Sequence, residues 1–167
     1  MRFGTMGLNL LTKMKTKLIN CLFWFVPLVA PAMDYDKLAD AVAIVESNNN
    51  PAAVGDGGRA RGAYQMWEIA WTQASKARRL AGKKVYPYAY AHDAFVSRQY
   101  AVSYLQWCGS TLEKRLGRPA AFWEIYACYA RGLGGFEDID YNYTKLPAHT
   151  KRALGVISKQ LNLPLPR

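Results

Sequence analysis

The chain has 167 residues, 51% of them apolar, and a formal charge of +10 from 22 Lys plus Arg against 12 Asp plus Glu. That length suits one domain with one core and argues against a multidomain assembly. The two histidines, His92 and His149, stand at no metal-ligand spacing from each other or from the cysteines, which speaks against a zinc site.

Residues 1–32 read as a removable leader. Lys13, Lys15 and Lys17 precede an apolar run from Leu18 to Ala30, and Ala30-Pro31-Ala32 fits a small-residue cleavage site. This is the pattern of a secretory signal peptide, and the run is short for a spanning helix. Export to the periplasm or the extracellular space is expected, with no stable membrane insertion after cleavage. Met14 stands as an alternative initiator to Met1. Cys21 follows Asn20 instead of a small residue, which argues against a lipoprotein anchor. Cleavage removes Arg2, Lys13, Lys15 and Lys17 and no acid, so residues 33–167 keep a formal charge of +6. An exported basic chain meets cell-wall polymer and lipid headgroups instead of nucleic acid. Its basic residues are scattered, as at Arg78-Arg79, Lys83-Lys84 and Lys151-Arg152, and form no single stripe.

Leu38, Ala41, Val42 and Val45 recur at helical spacing, so Asp36–Val45 reads as a helix with one buried face. Asn48 to Asn50 and Pro51 stop it, because they favour turns and proline cannot continue the ladder. The glycine-rich stretch from Val54 to Gly62 suits a tight hairpin. Met66, Ile69, Ala70 and Gln73 space as a helix over Gln65–Ser75, and Lys83–His92, with Pro87, reads as loop. Asp93 is a good N-cap for a helix through Cys108, striped by Phe95, Val96, Tyr100, Tyr104 and Trp107. Pro119 suits the first turn of an apolar helix, Ala120–Ala130, ended by Gly132-Leu-Gly-Gly135. A last helix over about Ala148–Leu161 turns Leu154, Ile157 and Leu161 inward. The fold class is mostly α, with one small hairpin at 54–63.

Cys108 and Cys128 lie in apolar surroundings where a buried free thiol is common. In an oxidising compartment they are expected to pair, which for a loop of this length contributes roughly 3 kcal/mol.

Glu46 occupies the last turn of the first helix, where the dipole favours cations. Burial and the dipole both push a carboxyl there upward, as a general acid near neutral pH requires. On position alone a solvated glutamate at a frayed helix end remains the commoner outcome. Asp56, ten residues on, is either a turn former among glycines or a second acid paired with Glu46. Arg59 and Arg61 are placed to hold it ionised or to bind substrate carboxylates.

Taken in order, Glu46-Ser47, Asn50-Pro51, Gly62-Ala-Tyr-Gln65 and Tyr129-Ala-Arg-Gly132 resemble the lysozyme-like superfamily. The likeness is to its lytic transglycosylases, with goose-type lysozymes as relatives, and Leu146–Arg152 resembles that family's closing helix. It spans about residues 36–161. The resemblance implies a lysozyme-like α+β fold and a monomeric enzyme acting on peptidoglycan glycan strands without cofactor or metal. It implies Glu46 as general acid and base, and Ser47 beside it fixing the carboxyl or the substrate. Gly62, Tyr64 and Gln65 would line the cleft, with Gln65 on an acetamido group, and Tyr129 would close it. The family's asparagine after that tyrosine is Ala130 here, so Arg131 is the candidate to supply the missing polar contact. Three functions follow as alternatives: a lytic transglycosylase using Glu46, a hydrolytic muramidase using Glu46 and Asp56, or a catalytically weak glycan-binding protein.

Overall fold

The computed structural model describes residues 32–166, and the expected signal peptide, with Cys21, lies outside the described residues except for Ala32. The described chain is mostly helical with one small two-stranded antiparallel sheet. The elements are α1 (Tyr35–Ser47), β1 (Val54–Gly55), β2 (Ala60–Arg61), α2 (Glu68–Leu80), α3 (Ala94–Leu116), α4 (Phe122–Glu137) and α5 (Ala148–Leu161). Among the described residues no helix is long and apolar enough to cross a membrane.

Local chemistry sets the helix ends. The Asp34 carboxylate accepts from the Lys37 N–H and opens α1. Asn48, in the left-handed region at φ 54°, closes it, with the Asn48 and Asn49 N–H groups capping the carbonyls of Ile44 and Ala43. Asp93 caps α3 through the Val96 N–H at 2.8 Å, as its sequence position predicts. Arg118 forks onto the buried Glu124 at 2.8 and 2.5 Å, and the Ala121 N–H donates to the same carboxylate. Those three donors satisfy a charge that burial would otherwise penalise. They also start α4 at Phe122, so Pro119 lies outside the helix that it is expected to open.

Four further expectations are corrected. The second helix starts at Glu68, not Gln65, because Met66 forms a backbone bridge to Arg61 and Gln65 takes φ 45°. Its buried face carries Trp71, Ala74 and Arg78, whereas Ile69 is exposed. Trp71 stacks on Tyr100 with centroids 3.6 Å apart, and Arg78 spends its donors on Lys84, Gln99 and Ser103. α3 runs eight residues past Cys108 to Leu116, and Phe95 on its first turn faces solvent. Phe95 misleads because an N-terminal turn has fewer neighbours to cover it.

α3 is the central helix: α1, α2 and α4 pack on it, and α5 packs on α1 and α4. The core gathers Leu38 and Val42 of α1, Leu105 and Leu112 of α3, Ile125 of α4, and Leu154 and Ile157 of α5. Burying side chains of this kind contributes roughly 1.5–3 kcal/mol each relative to exposure. Cys108 and Cys128 meet inside this core as free, fully buried thiols, which corrects the expected disulfide. Burial, with Cys128 beside it, pushes the Cys108 thiol well above its ordinary pKa, so the reactive thiolate is suppressed.

Candidate functional site

The last turn of α1 brings Glu46 to a cleft of about 630 Å³. Tyr104 of α3, Tyr126, Tyr129 and Ala130 of α4, the hairpin residue Asp56, and the segment Gln65–Trp67 also line it. His149 and Thr150 at the start of α5 line it as well.

Glu46 is buried enough that desolvation dominates its titration. Burial pushes its carboxyl up to about 7, the nearby Asp56 charge adds to the rise, and a hydrogen bond from Tyr126 opposes it. The Tyr126 hydroxyl donates to Glu46 Oε1 at 3.0 Å. A carboxyl with this pKa, anchored and facing a cleft, can both give and take a proton near neutrality. Burial likewise raises the Tyr126 hydroxyl, with the Glu46 charge second, so Tyr126 stays a protonated donor. Tyr129, stacked at 6.4 Å from Tyr126, donates its own hydroxyl to the Tyr64 carbonyl at 2.6 Å. Tyr129 thus lines the cleft but ties α4 to the loop before α2, while Tyr126 reaches the acid.

The other expected residues divide into two groups. Gln65 and Arg131 line the cleft with Glu46 and Asp56. Gln65 donates from Nε2 to the Gly62 carbonyl at 2.9 Å, and its amide oxygen lies where a Cβ on Gly55 would sit. Arg131 donates from Nε to the Gly135 carbonyl, just past the break at Gly132 (φ 72°, ψ 158°) that interrupts α4. Ser47, Gly62 and Tyr64 are not among the cleft residues. Ser47 Oγ donates to the Ala63 carbonyl at 2.8 Å and accepts from the Asn50 N–H, so it is a clamp between α1 and the following loop. Gly62, at φ 74°, passes so close to Ala91 that a Cβ would come within 1.8 Å of its carbonyl oxygen. Tyr64 is buried, and burial raises its hydroxyl to about 12.

Asp56 sits in the hairpin turn at φ 50°, exposed to solvent, and accepts from the Trp67 indole N–H at 3.0 Å. The arginines do not hold its carboxylate. Arg59 donates to its main-chain carbonyl and lays its guanidinium over Trp67, and Arg61 lies over Tyr88.

Sequence reasoning missed Tyr126, Trp67, His149 and Thr150 as cleft residues. Only Trp67 carried a signal, as an indole two residues past Gln65 and next to the charged Glu68. Thr150 Oγ1 is buried and makes no hydrogen bond among the described residues. Among the described residues no three His, Cys, Asp or Glu side chains converge as a metal site would need. The chain matches no protein-family model, no curated protein and no solved structure.

Proposed function

We propose that the chain is an exported, monomeric enzyme of the lysozyme-like fold that cleaves peptidoglycan, acting as a lytic transglycosylase on the β-1,4 bond between MurNAc and GlcNAc. The observation that carries this reading is Glu46: a carboxyl at a helix end, anchored by Tyr126, facing a cleft, with a pKa raised to about 7. The order of Glu-Ser, Asn-Pro, Gly-x-x-Gln and Tyr-x-x-Gly segments supports the same reading, as does the small hairpin beside an otherwise helical cleft.

In this mechanism protonated Glu46 gives its proton to the glycosidic oxygen as the bond to the MurNAc anomeric carbon breaks. The MurNAc acetamido oxygen bonds to that carbon and carries the developing charge. The 6-hydroxyl of the same sugar then displaces the acetamido oxygen, its proton returns to Glu46, and a 1,6-anhydro sugar leaves. Tyr126 holds the carboxyl in place and favours its ionised form at the return step. Gln65 and Arg131 offer polar atoms to the glycan, and the basic surface suits an anionic wall polymer.

A hydrolytic muramidase is the second reading, and its basis is that Asp56 lines the same cleft and acts electrostatically on Glu46. Ala130, in place of a polar residue at the cleft, is the basis for a weaker glycan-binding protein. Mass spectrometry of products from purified murein separates the three. Muropeptides ending in 1,6-anhydroMurNAc support the transglycosylase, borohydride-reducible ends the hydrolase, and uncleaved murein the binding protein.

A further inference from the structure

Trp67 is an indole left 37% exposed at the rim of the cleft, and one exposed aromatic means little by itself. What distinguishes it is how it is held. The backbone bridge between Arg61 and Met66 fixes the residue just before it, with both N–H to carbonyl bonds at 3.2 Å. The Tyr88 hydroxyl lies 2.7 Å from the Met66 carbonyl oxygen and 2.8 Å from that of Arg59, tying this segment to the hairpin. Asp56 Oδ2 accepts the indole N–H at 3.0 Å. The Arg59 guanidinium covers one face of the ring at 4.4 Å, anchored in turn to the Asp56 carbonyl.

These restraints exist before any ligand arrives, and prior ordering lowers the cost of binding. Indole has one polar atom, a donor, and Asp56 already occupies it. What remains for a ligand is the π surface that Arg59 leaves. The axial C–H faces of a β-1,4-linked pyranose are the natural complement to such a surface, which carries partial negative charge.

We propose that Trp67 is a stacking platform for one sugar ring of the glycan, and that Asp56 is its positioning residue instead of a second acid. This rests on the reading of the cleft as a glycan site, and it assigns the hairpin to substrate grip while Glu46 carries the proton.

The test uses chitohexaose, the β-1,4 hexamer of N-acetylglucosamine, titrated calorimetrically into full-length protein carrying Glu46→Gln to prevent turnover. Trp67→Ala is expected to weaken binding roughly five- to tenfold, the upper range for an aromatic contact, and Trp67→Phe to weaken it less. Asp56→Ala should weaken binding in the Trp67 background and add nothing in the Trp67→Phe background. Asp56→Asn keeps an acceptor and should restore affinity relative to Asp56→Ala. With Glu46 intact, Trp67→Ala should raise KM and leave kcat, and Asp56→Ala should raise KM and change kcat only as far as losing its charge lowers the Glu46 titration. The Trp67 indole N–H proton resonance, assigned by its loss in Trp67→Phe, should move in Asp56→Ala, a change that general destabilisation would not single out.

The proposal is overturned by chitohexaose that does not bind the parent, by equal binding by Trp67→Ala, or by an Asp56→Asn variant that loses kcat by orders of magnitude at unchanged affinity. If Trp67-dependent binding appears but murein is never cleaved, the platform stands and the enzyme reading falls. If murein is cleaved equally by the parent and Trp67→Ala, with equal KM, the platform alone falls.

Discussion

Glu46 and Asp56 line one cleft, yet their surroundings differ in nearly every physical respect. Glu46 belongs to a helix whose inner face is core, sits near Tyr104, Tyr126 and Tyr129, and is pushed up to about 7 by desolvation. Asp56 belongs to a solvent-exposed hairpin turn and spends one oxygen on an indole N–H. Burial and partners alone thereby set the two carboxylates apart, as the proposed division of tasks requires. Under the proposed function the helical lining serves proton transfer and the hairpin lining serves grip.

The contrast breaks most sharply at Glu46. Glu46→Gln keeps shape but not the proton, so murein turnover is expected to fall at least ~10²-fold in a turbidity assay. Wild-type rates from that variant would end the assignment. The same variant reports on the raised pKa. Because the folded pKa of about 7 exceeds the ordinary 4.5, the folded chain holds this proton more tightly than the unfolded one. The stabilisation is full below 4.5 and is lost as pH rises through about 7. Glu46→Gln should therefore melt several degrees above the parent at alkaline pH and level with it in acid.

On the hairpin side the largest effect is expected from Gly62→Ala. A left-handed φ and a Cβ 1.8 Å from the Ala91 carbonyl oxygen must both be relieved. A loss of at least about 2 kcal/mol is expected by chemical denaturation. An unchanged midpoint would mean that the hairpin is held less closely than its geometry implies.

Tyr126→Phe sharpens the helical side. Removing the hydrogen bond takes away the one influence that lowers the Glu46 pKa, so the alkaline limb of the rate profile should move to higher pH. Loss of the anchor should also cost roughly fivefold in kcat, the scale of one net hydrogen bond. A profile that stays put would show that Tyr126 does not act on Glu46.

The smallest effect is expected in the core beneath both linings. Cys108 and Cys128 are buried thiols, so native protein should label slowly at both, and reductant should leave the melting temperature unchanged. A reductant-sensitive melt would restore the disulfide that an oxidising compartment suggests.

Most helices were legible from period and punctuation. Leu38, Val42 and Val45 with the Asn-Asn-Asn-Pro stop define α1, Asp93 marks the start of α3, and the inward Leu154 and Ile157 define α5. Glu46 stood out locally as a carboxylate closing an apolar stripe, but on position alone a solvated glutamate was the commoner outcome, and the order of the later segments is what singled it out. Where local signals competed, tertiary contacts won. The spacing of Met66 and Ile69 suggested a helix from Gln65, but the bridge to Arg61 gave those backbone groups other partners and delayed α2 to Glu68. Gly62 was recognisable as a close approach, though to Ala91 instead of a ligand.

What the sequence determined by itself is the set of helices, the site of the small hairpin, and the one carboxylate out of place on its helix. Those follow from interactions within a few residues, which composition and period encode directly. Which tyrosine grips Glu46, where the Asp56 carboxylate spends its acceptor, and which polar residues face the cleft depended on side chains that meet only after folding. Tyr126 and Glu46 are 80 positions apart, and Trp67 and Asp56 are 11. A hydroxyl three residues before Tyr129 on α4 reaches the acid at the end of α1, a meeting set by how both helices pack on α3 and by no local preference.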